Sequence, residues 1–308
     1  MSAFSKEDLK LHHCIYKTLL ADPRIYYHVA AKKCGVARNT FTKHWEDGLE
    51  QGIFFSPQIR PKMFSTRKEY IYLVQTDEVH ELFEYYKNHP YLVYLAYTLG
   101  KFDLLIQTSR PLEVIPNNTI LWGSRSNYSY PDTPQCTDEE ALNTIQELLD
   151  RSHEISHLPV DYPDEPHIVG HQWGWKIYPH LKYNLRPNYT WIVKNMGMSF
   201  TSFYRGYEYL LEVCSVLLPY YPHGFSDYSQ HFFVIWSDYE ELICAVFGCL
   251  PSHVSITKLN GALLVCACIR ERGKIIIPFF QLFYKMLEME IIEKFWTATP
   301  VFHWKPDP

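Results

Sequence analysis

The 308-residue chain contains no run near the 18 or so apolar residues that a bilayer-spanning helix needs. Its first ten residues are charged and polar, unlike a secretory signal. A membrane protein is therefore not expected, and the cytoplasm is the expected compartment. Also missing are a glycine-rich phosphate loop, a nucleophile elbow, a paired-carboxylate pattern and any Cys-x-x-Cys spacing. Cys266-x-Cys268 and Cys244-x4-Cys249 do not have the spacing of a zinc or redox site, so no metal or cofactor is expected. The eight cysteines are expected as free thiols of a reducing compartment. The net charge of −5 argues against a protein that coats nucleic acid over its whole surface.

That charge is unevenly placed. Residues 1–62 carry ten Lys/Arg against six Asp/Glu, and residues 170–224 carry five against two, which leaves the remainder strongly acidic. The two basic stretches are also where the chain repeats itself. Residues 15–50 align without a gap on 177–212, with identities that include Arg24/Arg186, Tyr27/Tyr189, Gly35/Gly197, Phe41/Phe203 and Glu50/Glu212. A second match at an offset one residue shorter places Asp77 on Asp238, Pro90 on Pro251 and Gly100 on Gly261. A duplicated unit of this length is a tandem of domain pairs.

The first half of each unit reads as a helix-turn-helix. Apolar residues at helical spacing predict a helix over 6–20, ended by Asp22-Pro23. A short helix over 25–33 leads to Cys34-Gly35-Val36, where glycine supplies the turn at low steric cost. The third helix, about 38–51, buries Phe41, Trp45 and Leu49 and presents Arg38, Asn39, Thr40, Thr42, Lys43 and His44 outward. With Lys32 and Lys33 beside it, this is a candidate surface for double-stranded DNA. Ile53-Phe54-Phe55 is expected to start a wing. The second copy presents Ser199, Thr201, Ser202 and Arg205 with Phe200 and Tyr204, a weaker reading face. Before it come His167, His171 and His180 among tryptophans, where Gly170 and Gly174 weigh against a regular helix.

The second half of each unit reads as β-α-β-β-α-β, the ferredoxin-like order, with Asn260-Gly261 as a hairpin turn. In the first copy Arg110–Asn118 is too short for the second helix. The helix 138–151 either replaces it or belongs to a connector with the proline-rich stretch that ends near Pro166.

The basic third helix, the glycine–isoleucine start of the wing and the run Gly100-Lys101-Phe102-Asp103-Leu104-Leu105-Ile106 closely resemble the Lrp/AsnC family of transcriptional regulators. The resemblance implies an α+β chain with two winged helix-turn-helix domains, at 1–64 and 169–226, and two ferredoxin-like domains, at 65–130 and 227–308. Residues 131–168 connect the pairs. It further implies an intrachain pseudo-dimer that regulates transcription and is not an enzyme, with further self-association through its sheets. An amino acid or similar small effector would bind near Gly100 and Asp103. Leu264 stands where the second copy should have the acidic residue.

Two alternatives remain. Siroheme decarboxylases resemble the same architecture and occur as fused or paired units. Their Tyr-Asn-Leu-Trp-Phe strand is replaced here by Phe102-Asp103-Leu104-Leu105-Ile106. The other is an interaction scaffold that no longer binds DNA.

Overall fold

The computed structural model describes residues 4–152, 160, 171–271 and 275–306. His167 and, apart from Val160, the connector stretch 153–170 lie outside the described residues. The fold is α+β, with the expected two helix-turn-helix and two ferredoxin-like modules. They are organised as two compact units, each built from both copies of the repeat.

Unit 1 holds the helix-turn-helix modules. The first consists of α1 (Lys6–Ala21), α2 (Tyr27–Lys33) and α3 (Arg38–Glu50). Ser5 and Asp8 form a capping box that starts α1. Gly35, at φ +68°, makes the turn before α3. The second consists of α6 (Gln172–Leu181), α7 (Tyr189–Asn195) and α8 (Phe200–Val213). Gly174 does not break α6. It faces Gly206 of α8, where a Cβ would stand 3.1 Å from the Gly174 nitrogen, so the paired glycines let the two helices approach.

The wing differs from expectation. Ile53 and Phe54 are buried and form no strand, although Phe54 makes one bridge to Tyr220. The strand is β1 (Gln58–Pro61), which pairs antiparallel with β6 (Cys214–Leu217) of the other copy. Each copy supplies one strand, so the backbone groups of β1 are satisfied across the repeat. Leu218 and Tyr220 consequently enter the core of the first module with Ile15, Phe41 and Trp45.

The expectation of eight free thiols is also corrected. Cys14 on α1 and Cys34 at the end of α2 form a disulfide, their Cα atoms 5.7 Å apart. They lie 20 residues apart in sequence, and only the packing of α2 against α1 brings them together.

Unit 2 is one eight-stranded sheet in the order β5-β2-β4-β3-β10-β7-β9-β8. The first copy supplies β2 (Tyr70–Val74), β3 (Leu92–Gly100), β4 (Leu104–Thr108) and β5 (Thr119–Ser124). The second supplies β7 (Tyr228–Trp236), β8 (Val254–Leu259), β9 (Ala262–Arg270) and β10 (Lys294–Trp304). The halves join where β3 pairs with β10. At the other edge Arg125 and Ser129 bridge to Leu259 and Ile256, and the Ser126 N–H donates to Lys258 at 3.0 Å. Both edges are therefore paired, and the sheet closes on itself.

Outside the sheet lie α4 (Val79–Lys87), α9 (Glu240–Gly248) and α10 (Ile276–Glu288). The helix α5 (Asp138–Asp150) does not fill the place of the first copy's missing helix. Its Ile145 and Leu149 join Phe247, Phe279 and Phe283 in the core of the second copy.

Candidate functional site

Alternation along the strands directs one set of side chains into the closed sheet. Toward one end these are apolar and come from both copies: Ile71, Leu73, Phe102, Phe232, Val234 and Leu264. Trp236 and Trp296 finish this end as a T-shaped pair, ring centres 4.7 Å apart. Lys294 lies over Trp236 at 4.3 Å and Lys101 over Trp296 at 5.6 Å.

The other end of the interior is polar. Glu69 precedes β2 and Arg125 follows β5, so both belong to strand ends that tertiary structure brings together. Arg125 is 2 % exposed. Its Nε and Nη2 donate to the same Glu69 oxygen at 2.9 and 2.7 Å, and Nη1 donates to the Ser126 carbonyl. Gln107 donates to that Glu69 oxygen at 2.7 Å. The Tyr128 ring lies 4.1 Å from the guanidinium. Burial works most strongly, to lower the Arg125 pKa, but the Glu69 carboxylate together with Tyr128 and Tyr130 raises it on balance, so the guanidinium stays charged.

Tyr94 on β3 pairs in register with Gln107 and lies near Tyr128 and Cys266 of β9, and Gln230 donates to the Cys266 sulfur. Burial pushes the Tyr94 phenol well above its ordinary value, with Cys266 and Tyr128 adding to the rise. It pushes the Cys266 thiol up to about 11. Both therefore keep their protons at neutral pH. The end of the barrel thus combines a buried, mutually neutralised ion pair with weak acids that keep their protons, an arrangement able to give up a proton.

The expected DNA-contact residues fall into two groups. Lys32, Lys33, Arg38, Asn39, Thr40 and Lys43 are exposed, and Thr42 is half-buried. His44 instead faces inward, its Nδ1 3.2 Å from Nε2 of the buried His12. In the second copy Ser199 caps α8 by accepting from the Ser202 N–H, and the two hydroxyls are 3.0 Å apart. Thr201 and Arg205 are exposed. Tyr204 and Tyr207 lie under Arg24 of the first copy, each ring centre 4.7 Å away. Part of the α8 reading face is thus occupied by the other copy.

Gly100 and Asp103 have structural duties here. The Thr297–Ala298 backbone of β10 passes so close to Gly100 that a Cβ would collide with it. Asp103 accepts a hydrogen bond from the Thr76 N–H at 2.9 Å. Sequence reasoning missed Glu69, Gln107, Arg125 and Tyr94. The available signal was a pair of opposite charges flanking apolar strands, which gains meaning only when the strands are placed.

No family model matches the chain, and no curated protein matches it. Solved structures do. The crystal structure of the siroheme decarboxylase NirDL matches with a TM-score of 0.52 at 11 % identity, over 97 % of this chain and 93 % of that one. The same enzyme in co-complex with an iron-uroporphyrin III analogue matches with a TM-score of 0.51 at 12 % identity, over 96 % and 92 %. The chain shares the fold of that enzyme. The expectation that this architecture marks a protein that is not an enzyme is thereby corrected, because a solved chain of the same fold is a decarboxylase. Among the described residues no helix is long and apolar enough to cross a membrane.

Proposed function

We propose that the protein is an enzyme of the siroheme-decarboxylase type, removing carboxyl groups as CO2 from an iron tetrapyrrole. The observation that carries this reading is the match of nearly the whole tandem chain to NirDL along nearly its whole length. The polar end of the barrel supplies suitable chemistry. Loss of CO2 leaves a carbanion that must take up a proton, and a phenol or thiol held protonated inside the barrel meets that need. In this reading Tyr94 is the proton donor, and the Glu69–Arg125 pair, with Gln107, fixes the polar end of the barrel around it.

The test is anaerobic incubation of the purified chain with siroheme, followed by mass spectrometry of the tetrapyrrole. Loss of CO2 that falls at least tenfold in Tyr94→Phe is expected. A tetrapyrrole recovered intact, with no change in its absorption spectrum on mixing, would sink the proposal.

One observation favours a second reading, contact with DNA through the first copy alone. Arg38, Asn39, Thr40 and Lys43 form an exposed polar and basic face on α3, whereas the α8 face is partly occupied. Binding of genomic fragments should then be asymmetric and salt-dependent, and weaker in the Arg38→Ala, Lys43→Ala double variant. Affinity unchanged in that variant would exclude this face.

A further inference from the structure

Most cysteines of the chain are poorly placed for redox chemistry, because the reactive species is the thiolate. Burial pushes Cys136 and Cys266 up to about 11 and raises Cys249 as well. Cys214 and Cys268 are buried. Cys14 and Cys34 differ: they are bonded to each other, and each is only half-buried. Their link joins the middle of α1 to the residue directly before Gly35, the turn that leads into α3. The second copy has Lys176 and Met196 at the equivalent positions and so has no such link.

We propose that Cys14–Cys34 is a reversible thiol–disulfide switch that controls the opening of α2 and the following turn in the first copy only. A thiolate of a dithiol reductant attacks one cysteine sulfur, and the S–S bond breaks. The released cysteine takes a proton, and the second thiol of the reductant resolves the mixed disulfide. The reductant leaves as a disulfide, having given up two electrons, and two protons end on Cys14 and Cys34.

Two features make α2 the segment that responds. It has seven residues, too few to persist without packing, and buries only Ala30 and Ala31. The longer α1 and α3 remain joined through Ile15, Phe41 and Trp45 and through the His12–His44 contact. Cutting the cross-link therefore releases α2 while the rest of the core holds.

The full chain, isolated without reductant and alkylated in denaturant, should show six alkylated cysteines and a peptide joining Cys14 to Cys34. Dithiothreitol should speed amide exchange over residues 27–36 by on the order of a hundredfold, the effect of opening a loop of this length. Oxidised glutathione should restore protection, and α7 should not respond. The Cys14→Ser, Cys34→Ser double variant should exchange fast in both conditions. Eight alkylated cysteines after exposure to oxidised glutathione would overturn the proposal. So would exchange over 27–36 that ignores dithiothreitol, or an equal response in α7. The wild-type measurements suffice if the double variant does not fold.

Discussion

Arg24 and Arg186 occupy equivalent places in the repeat and reach across it in opposite directions. The Arg24 guanidinium lies 4.7 Å from the ring centres of Tyr204 and Tyr207, and Arg186 lies 4.6 Å from that of Tyr27. The exchange is not equal. Arg186 also donates to the Pro23 and Ile25 carbonyls at 2.6 and 3.0 Å. The two helix-turn-helix modules are thus held together by residues inherited in duplicate and used with different strength.

Arg186→Ala should therefore cost more stability than Arg24→Ala. Losing two charge-assisted hydrogen bonds and a ring contact is worth roughly 2–4 kcal/mol, against about 1 kcal/mol for the ring contacts of Arg24. Urea denaturation of the two variants checks the order, and equal losses would refute it.

The buried Glu69–Arg125 pair should tolerate joint replacement better than single truncation. Arg125→Ala leaves a carboxylate inside the barrel without its guanidinium and should cost about 3–5 kcal/mol. Glu69→Leu combined with Arg125→Met should recover much of that. Failure of the double variant to exceed the single one in melting temperature would contradict this account.

His12 gives unit 1 a dependence on acid. Burial, then the neighbouring His44, lowers its pKa from 6.5 to about 4, so the unfolded chain binds the proton more readily. Stability is complete above pH 6.5, falls as the pH drops toward 4 and levels off below it. The whole contribution is about 3 kcal/mol. Chemical denaturation of wild type and His12→Phe across this range should show a slope that the variant lacks.

Gly100→Ala should be far more damaging than Gly261→Ala. Both glycines have positive φ, but only Gly100 faces the β10 backbone, while the space around Gly261 is open. About 1 kcal/mol is expected at Gly261 and several at Gly100. Comparable melting temperatures for the two variants would show that β10 can move away.

Legible in the sequence alone were the duplication, the three helices of the first helix-turn-helix module, the last two of the second and the order of the ferredoxin-like strands. These rest on local patterns: apolar spacing, Gly35 and Gly197 at the turns, and Asn260-Gly261 at the hairpin. Tertiary structure decided what each copy does to the other. The β1–β6 pair, the entry of Tyr220 into the first core and the packing of α5 on α9 and α10 are contacts between distant segments. A strand's hydrogen-bonding edge and a helix's apolar face accept many partners equally well, so local pattern does not name the one chosen. The same holds for the candidate site. Glu69 and Arg125 lie 56 residues apart and read in sequence as ordinary strand-end charges. Closure of the sheet removes both from water, and only then does their pairing become obligatory.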